Sequence, residues 1–120
     1  MDAWQAQQAF WGQFGAAYEE NSVPNDAGFP RITYQAAVNS LDNDVAITAS
    51  IWTRSTSWNS ADMIANAIKE RIKDMGCPKI DGGRYRVYIG STPFAQKTTD
   101  PDDKEVKRIV INVNFEFMTE

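Results

Sequence analysis

The sequence contains no histidine, a single cysteine and no long apolar run. Without histidine, a Ser-His or Cys-His catalytic arrangement is excluded, and most zinc sites lose their usual nitrogen ligand. Cys77 has no second cysteine for a disulfide, and it stands beside Pro78 in a predicted turn with no histidine to activate its thiol. We therefore expect a protein that is not an enzyme and that holds no metal or cofactor.

The sequence also lacks the patterns that direct a chain into or across a membrane. No stretch approaches the roughly 20 apolar residues of a membrane span. The first five residues lack the basic-then-apolar pattern of a signal peptide. We therefore expect no membrane association and no export from the cytoplasm where the chain is made.

A surplus of basic residues is missing as well. Lysine and arginine number 12 against 16 aspartate and glutamate, and the net charge is −4. A protein that binds nucleic acid regardless of sequence needs many Lys and Arg side chains to displace counterions. DNA binding as the main activity is therefore not expected, although a surface that lets DNA pass is compatible with this charge.

Length and composition predict one folded domain over residues 1–120. The chain is 42% hydrophobic and 12% aromatic, which is outside the range of disordered sequences. A chain of this length buries about two-thirds of its unfolded surface, so it folds around one core without disulfides.

An aromatic stripe at the N-terminus predicts a helix. Its members recur at three-, four- and seven-residue spacings: Trp4, Trp11, Phe14, Ala17 and Tyr18. Two interpretations stay open, a stripe that faces the core and a helix that docks on a neighbouring subunit. Breakers between Asn21 and Pro30 then predict a loop.

Period-two patterns predict four strands. The first two cover residues 32–38 and 45–52, joined by a turn over residues 39–44, and they place Ile47 and Ile51 on the core face with Trp52 opposite. A third strand is predicted around residues 84–89, and the clearest alternation gives a last strand over residues 108–117. Residues 90–105 between them predict a long loop.

A second helix is predicted between these strand pairs, capped by Ser60 and ending near Met75 before Gly76 and Pro78. The expected fold is therefore α+β: a four-stranded antiparallel sheet with two helices on one face, in the order αββαββ.

Candidate binding motifs are weak. Asp81-Gly82-Gly83 lacks the setting of a phosphate loop and predicts a turn. The acidic segment from Asp100 to Asp103 lacks the ligand spacing of a calcium loop and predicts a solvated loop. Arg84 and Arg86 share one strand face, which is compatible with an anion-binding patch or with salt bridges.

The strongest functional signal is an aromatic and arginine-bearing sheet face opposite the core, a composition typical of subunit interfaces. The long loop adds Phe94, which either anchors a partner or folds onto its own core. The predicted interface residues are Trp4, Trp11, Trp52, Arg54, Arg84, Arg86, Tyr88, Phe94, Gln96, Lys97, Asp102 and Asp103.

Segments along nearly the whole chain resemble the tail terminator, or tail completion, proteins of long-tailed bacteriophages and prophages. The resembling segments are Trp11-Gly12-Gln13-Phe14, Ala17-Tyr18-Glu19-Glu20-Asn21, Val23-Pro24, Phe29-Pro30-Arg31-Ile32-Thr33-Tyr34, Ser50-Ile51-Trp52-Thr53-Arg54-Ser55, Gly90-Ser91-Thr92-Pro93-Phe94-Ala95-Gln96 and Arg108-Ile109-Val110-Ile111-Asn112-Val113.

The resemblance implies a structural virion protein of the tail or neck, assembled in the bacterial host cytoplasm. Members of that family form a hexameric ring that caps the tail tube, ends its polymerisation and joins the tail to the head connector. The implied partners are further copies of the chain, the tail tube protein and a head-completion or connector protein, with DNA passing through the ring without sequence-specific binding. The alternative is another phage neck or tail component, such as a head-closure or tail-tube protein, or a non-catalytic binding module.

Overall fold

The computed structural model describes residues 1–39, 43–90 and 92–119. Its elements are α1 (Ala3–Gly12), β1 (Ala17–Glu19), β2 (Arg31–Tyr34), β3 (Asn43–Arg54), α2 (Asn59–Asp74), β4 (Lys79–Ile80), β5 (Gly83–Tyr88), β6 (Ala95–Thr99) and β7 (Val106–Thr119).

The strands form one seven-stranded mixed sheet that curves into a half-barrel. The order is β1-β2-β3-β7-β5-β4. Strand β6 pairs with the same edge of β7 as β5 does, at residues 107–111, whereas β5 pairs at residues 114–119. Among the described strands, β1 and β2 run parallel and the other pairs are antiparallel. The predicted four-stranded antiparallel sheet with the order αββαββ is therefore wrong. Three short strands were missed, since each is defined by pairing rather than by an apolar pattern.

Helix α1 is shorter than the N-terminal stripe predicted. Asp2 caps it by accepting from the backbone N–H of Gln5, whose side chain in turn accepts from the backbone N–H of Asp2. The helix ends at Gly12, and Gly15 adopts a φ of 146°, which is open to glycine and strained for other residues. The chain can then extend, so Ala17–Glu19 forms β1 beside β2 instead of a last helical turn.

Two glutamines fasten α1 to the sheet side of the domain. Gln7 is fully buried, and its amide both donates to the Ala37 carbonyl (2.6 Å) and accepts from the Ala37 N–H (3.3 Å). Gln8 accepts from the Tyr34 hydroxyl (2.6 Å) and donates to the Ala17 carbonyl (2.9 Å). These bonds satisfy the buried amide of Gln7 and add to the apolar contacts that Phe10 and Trp11 make with the core.

Helix α2 lies close to its predicted position, but Ser60 is not its cap. The N-cap residue is Trp58, which makes no side-chain capping bond. Asp62 lies in the first turn and Arg71 and Lys73 in the last, which complements the helix dipole. Ala61, Ala65 and Ile68 face the core.

Strands β2 and β3 pair antiparallel, as expected of a hairpin. Strand β2 ends at Tyr34, four residues earlier than predicted. The middle of the predicted turn, Ser40 to Asp42, lies outside the described residues.

The segment predicted as one long loop between residues 90 and 105 contains β6, which pairs with the first half of β7. The Phe94 carbonyl accepts from the Asn112 N–H (2.8 Å), and the Phe94 ring is half-buried against the core. Strand β6 is mostly exposed, so its sequence lacks an apolar alternation that could have predicted it.

The core lies between both helices and one face of the sheet. Alternate residues of β7, namely Ile109, Ile111, Val113, Phe115 and Phe117, are all buried. Phe10 and Trp11 of α1 meet Phe115 with ring centroids 5.5 and 6.3 Å apart. Trp11 is fully buried in this core, whereas Trp4 of the same predicted stripe is 55% exposed, so the stripe divides between the core and the surface. Within the described residues, neither helix is long and apolar enough to cross a membrane.

Candidate interaction face of the sheet

The sheet face turned away from both helices, called here the outer face, is the candidate functional surface. Period two assigns alternate residues of β3 and β7 to it, because their neighbours Ile51 and Ile109 are buried in the core. Val110 and Met118 on this face are half-buried. The prediction that Trp52 faces away from the core is confirmed.

A row of three side chains crosses the outer face at one end. Arg31 of β2 pairs in register with Trp52 of β3, and Trp52 pairs with Arg108 of β7. The Arg108 guanidinium carbon lies 4.7 Å from the indole centroid and that of Arg31 lies 5.8 Å from it. Arg31 is also 4.5 Å from the Phe29 ring. Cation–π attraction therefore holds two cations beside one tryptophan.

Hydrogen bonds to two neighbouring hydroxyl groups fix the positions of Trp52 and Arg108 in this row. Trp52 donates through Nε1 to Thr33 Oγ1 (2.9 Å), and Arg108 donates through Nε to Ser50 Oγ (3.0 Å). Ser50 is only 4% exposed. The row and its two hydroxyl supports are therefore a pre-ordered polar site and not a set of freely moving surface side chains.

Neither guanidinium is neutralised by the described part of the chain. No described carboxylate lies within 4.0 Å of Arg31 or Arg108. Arg31 donates through one terminal nitrogen to the carbonyls of Ala27 and Gly28, both at 3.3 Å. Its Nε is buried and has no hydrogen-bond partner among the described residues. Neither side chain therefore forms an ion pair within the described residues, which leaves its charge available to an anionic group.

An open groove runs beside this row. It is lined by Arg31, Thr33, Ser50, Trp52 and Arg108, with Glu20 and Val23 from the segment after β1. We call it the Arg31–Trp52–Arg108 groove. Its hydroxyls already accept bonds from Arg108 and Trp52, and the sequence has no histidine to activate them. With two guanidinium groups that have no described carboxylate partner, the groove is suited to binding an anionic group.

At the other end of the outer face, Arg86 and Tyr88 have acidic partners within the chain. Arg86 donates through Nε to Glu116 Oε1 (2.6 Å) and lies 4.5 Å from the Tyr88 ring centroid. The Tyr88 hydroxyl donates to the Asp44 carboxylate, and this bond raises the pKa of Tyr88. The bond to Glu116 likewise raises the pKa of Arg86. The charges of Arg86 and Glu116 are therefore balanced within the chain, whereas Arg84 on the same face donates to the Cys77 carbonyl (3.0 Å) and to no described carboxylate.

Three further predicted interface residues form ion pairs within the chain. Arg54 binds Asp103 (2.7 Å) and Glu105 (3.6 Å), which fastens the segment after β6 to the end of β3. Lys97 binds Asp62 of α2 (2.9 Å) and lies 4.9 Å from the Trp58 ring centroid. These contacts hold β6 in place, which gives the residues a structural role in the isolated chain.

The remaining predicted residues are scattered. Trp4 is 55% exposed on α1, and Arg84 donates to the Cys77 carbonyl (3.0 Å). Gln96 and Asp102 are exposed, while Phe94 is half-buried against the core. The twelve predicted residues therefore do not form one continuous site.

Sequence reasoning missed the partners of Trp52. Arg31 and Arg108 each belong to a segment that resembles the tail terminator proteins, but neither was predicted at the site. Their meeting depends on the register of β2, β3 and β7, which alternation alone does not give.

Cys77 is exposed and follows α2. We expect Cys77→Ser to leave the melting temperature and any assembly unchanged, because the thiol has no described partner and a serine hydroxyl fits an exposed position. Thermal unfolding and light scattering of the variant beside the wild type check this. A folded variant that no longer assembles would contradict it.

Within residues 1–39, 43–90 and 92–119, no three His, Cys, Asp or Glu side chains are placed to hold a metal ion. Comparisons with protein families, with curated proteins and with solved structures found no match for the chain.

Proposed function

We propose that this chain is a structural virion protein that forms a homo-oligomeric ring, caps a phage tail tube and joins the tail to the head connector. In this role the protein works through contacts between its own copies and with the tail tube protein, and it performs no catalysis.

The observation that carries the proposal is that helices cover one face of the sheet and leave the other partly exposed. Both helices cover one face, and the outer face keeps Trp52, Tyr88, Val110 and Met118 half-exposed among arginines. Tryptophan, tyrosine and arginine are the residues that dominate the binding energy of protein interfaces. The exposed Trp4 on α1 supplies a second contact point away from the outer face.

The resemblance to tail terminator proteins implies that copies of the chain associate into a ring. Head-to-tail association through two different patches closes into a ring when the rotation between copies allows it. The outer face and the Trp4 end of α1 are two such patches. Six copies and the tail-capping role follow from the resemblance alone.

We expect purified protein to assemble into particles of about 81 kDa, six times the 13.5 kDa chain. Light scattering over a range of concentrations measures the mass, and negative-stain microscopy shows whether the particles are closed rings. A strict monomer at every concentration, and also in assembled tails, contradicts the proposal. An open fibre would show that the contacts exist but that the rotation between copies does not close.

A second candidate is a non-catalytic binding module, which is favoured by the pre-ordered Arg31–Trp52–Arg108 groove. Such a module needs only one or two copies. A stable monomer that binds another phage neck or tail protein would favour this candidate over the ring.

A further inference from the structure

The Arg31–Trp52–Arg108 groove combines three properties that other charged sites in the described chain do not share. Its two cations are held by an indole, its Ser50 hydroxyl is buried, and no described carboxylate pairs with either cation. Arg54, Arg86 and Lys97, by contrast, each have an acidic partner.

We propose that this groove is the acceptor site for a carboxylate side chain of a second copy of the chain. The inference rests on the proposed ring and names one of its contacts. A guanidinium presents a planar fork of donors that matches the two oxygens of a carboxylate. Two guanidinium groups beside the same indole present such donors from both sides of one row.

The charge of the chain favours a second copy as the partner. The sequence carries four more acidic than basic residues. Among the described residues, Asp26, Asp74 and Asp102 are exposed acidic side chains outside every ion pair. A neighbouring copy therefore carries exposed carboxylates without an ion-pair partner, and these are complementary in charge to the two arginines of the groove.

A nucleic acid is the less favoured occupant. A phosphate backbone brings closely spaced negative charges, and strong binding needs many cations along its path. The groove supplies two cations and also contains Glu20, while Glu105 and Asp103 lie beyond Trp52 at Arg54. Two cations beside one carboxylate, Glu20, suit a single incoming carboxylate better than a chain of phosphates.

Glutamine substitution at both arginines tests the inference. We expect Arg31→Gln/Arg108→Gln to raise the concentration for half-assembly at least about tenfold, because the incoming carboxylate loses both charged donors. Analytical ultracentrifugation across a concentration series measures that midpoint. Arg108→Lys keeps the charge and loses the fork, so its midpoint should lie between those of the wild type and the double variant.

The matched control is Lys69→Gln/Arg71→Gln, which removes two positive charges from the exposed side of α2, together with the hydrogen bond from Arg71 to Gln13 (2.9 Å). Its midpoint should stay within about twofold of wild type, because these charges lie outside the groove. Thermal unfolding of both double variants shows whether they are folded; if the groove variant is not, Arg108→Lys supplies the measurement.

Four results would overturn the inference. They are an unchanged midpoint in the folded groove variants, equal weakening in the α2 control, a wild-type protein that stays monomeric at every concentration, and wild-type binding of a DNA duplex that the groove variant loses. The first two leave the proposed ring standing, since assembly would then use other contacts. Fluorescence anisotropy with a labelled duplex provides the DNA measurement.

Discussion

Phe115→Ala is expected to reduce the free energy of unfolding by about 3–5 kcal/mol, which is a large share of the about 5–15 kcal/mol typical of a domain. Phe115 is fully buried, and its ring lies between those of Phe10 of α1, Tyr85 of β5 and Phe117 of β7, with centroids 5.5 to 6.2 Å apart. Alanine leaves a cavity where helix and sheet meet, since several rigid rings cannot all collapse into it. Urea unfolding followed by circular dichroism measures the change.

Met63→Ala is the matched control, because Met63 is 72% exposed on α2. Its free energy of unfolding should stay within about 0.5 kcal/mol of the wild type. A Phe115→Ala variant that loses no more than this control would show that the aromatic cluster does not carry the stability of the core.

Gly83→Ala is expected to destabilise the fold by about 1–3 kcal/mol or more through overpacking. Gly83 begins β5 opposite Thr119 of β7. A Cβ atom placed on Gly83 lies 1.8 Å from the carbonyl oxygen of Met118 and 2.9 Å from its carbonyl carbon. Both are backbone atoms of the central strand, so relief requires a movement of β5 away from β7. Differential scanning calorimetry measures the loss.

Gly12→Ala is the control for this substitution. Gly12 is the last residue of α1, and no atom lies within 4 Å of a Cβ built there. Alanine fits a helix better than glycine by roughly 0.5–1 kcal/mol, so this variant should be as stable as the wild type or more so. Equal destabilisation by both substitutions would contradict the close approach between β5 and β7.

The helix and strand positions with strong periodicity could be predicted from the sequence. Helix α2 and the buried face of β7 follow from spacing alone, because each buries a regular set of apolar side chains. Ala17–Glu19 could not be assigned correctly, since Tyr18 stands seven residues after Trp11 and continues the helical spacing. Its strand conformation depends on pairing with β2, a tertiary contact that overrides the local pattern.

The candidate site could be predicted only in part from the sequence. Alternation along β3 was enough to place Trp52 on the outer face. The unpaired state of Arg31 and Arg108 was not predictable, because it depends on which carboxylates the fold brings near them. The pairing of Arg86 with Glu116 shows that an arginine of the same face can be satisfied within the chain.

The central position of β7 has a consequence for how the chain folds. Strand β7 pairs with β3 along one side and with β5 and β6 along the other, yet it follows the other six strands in the chain. Asn43 pairs with Phe117 and Arg54 with Val106, so most of the sheet forms from contacts distant in sequence. Such a high contact order predicts folding in milliseconds to seconds rather than microseconds.

Until β7 leaves the ribosome, β3 has an unpaired edge twelve residues long and an apolar face. Exposed strand edges of this kind pair readily with the wrong chain. A chain truncated before residue 106 is therefore expected to aggregate, because the edge and the apolar face of β3 stay uncovered until β7 is present.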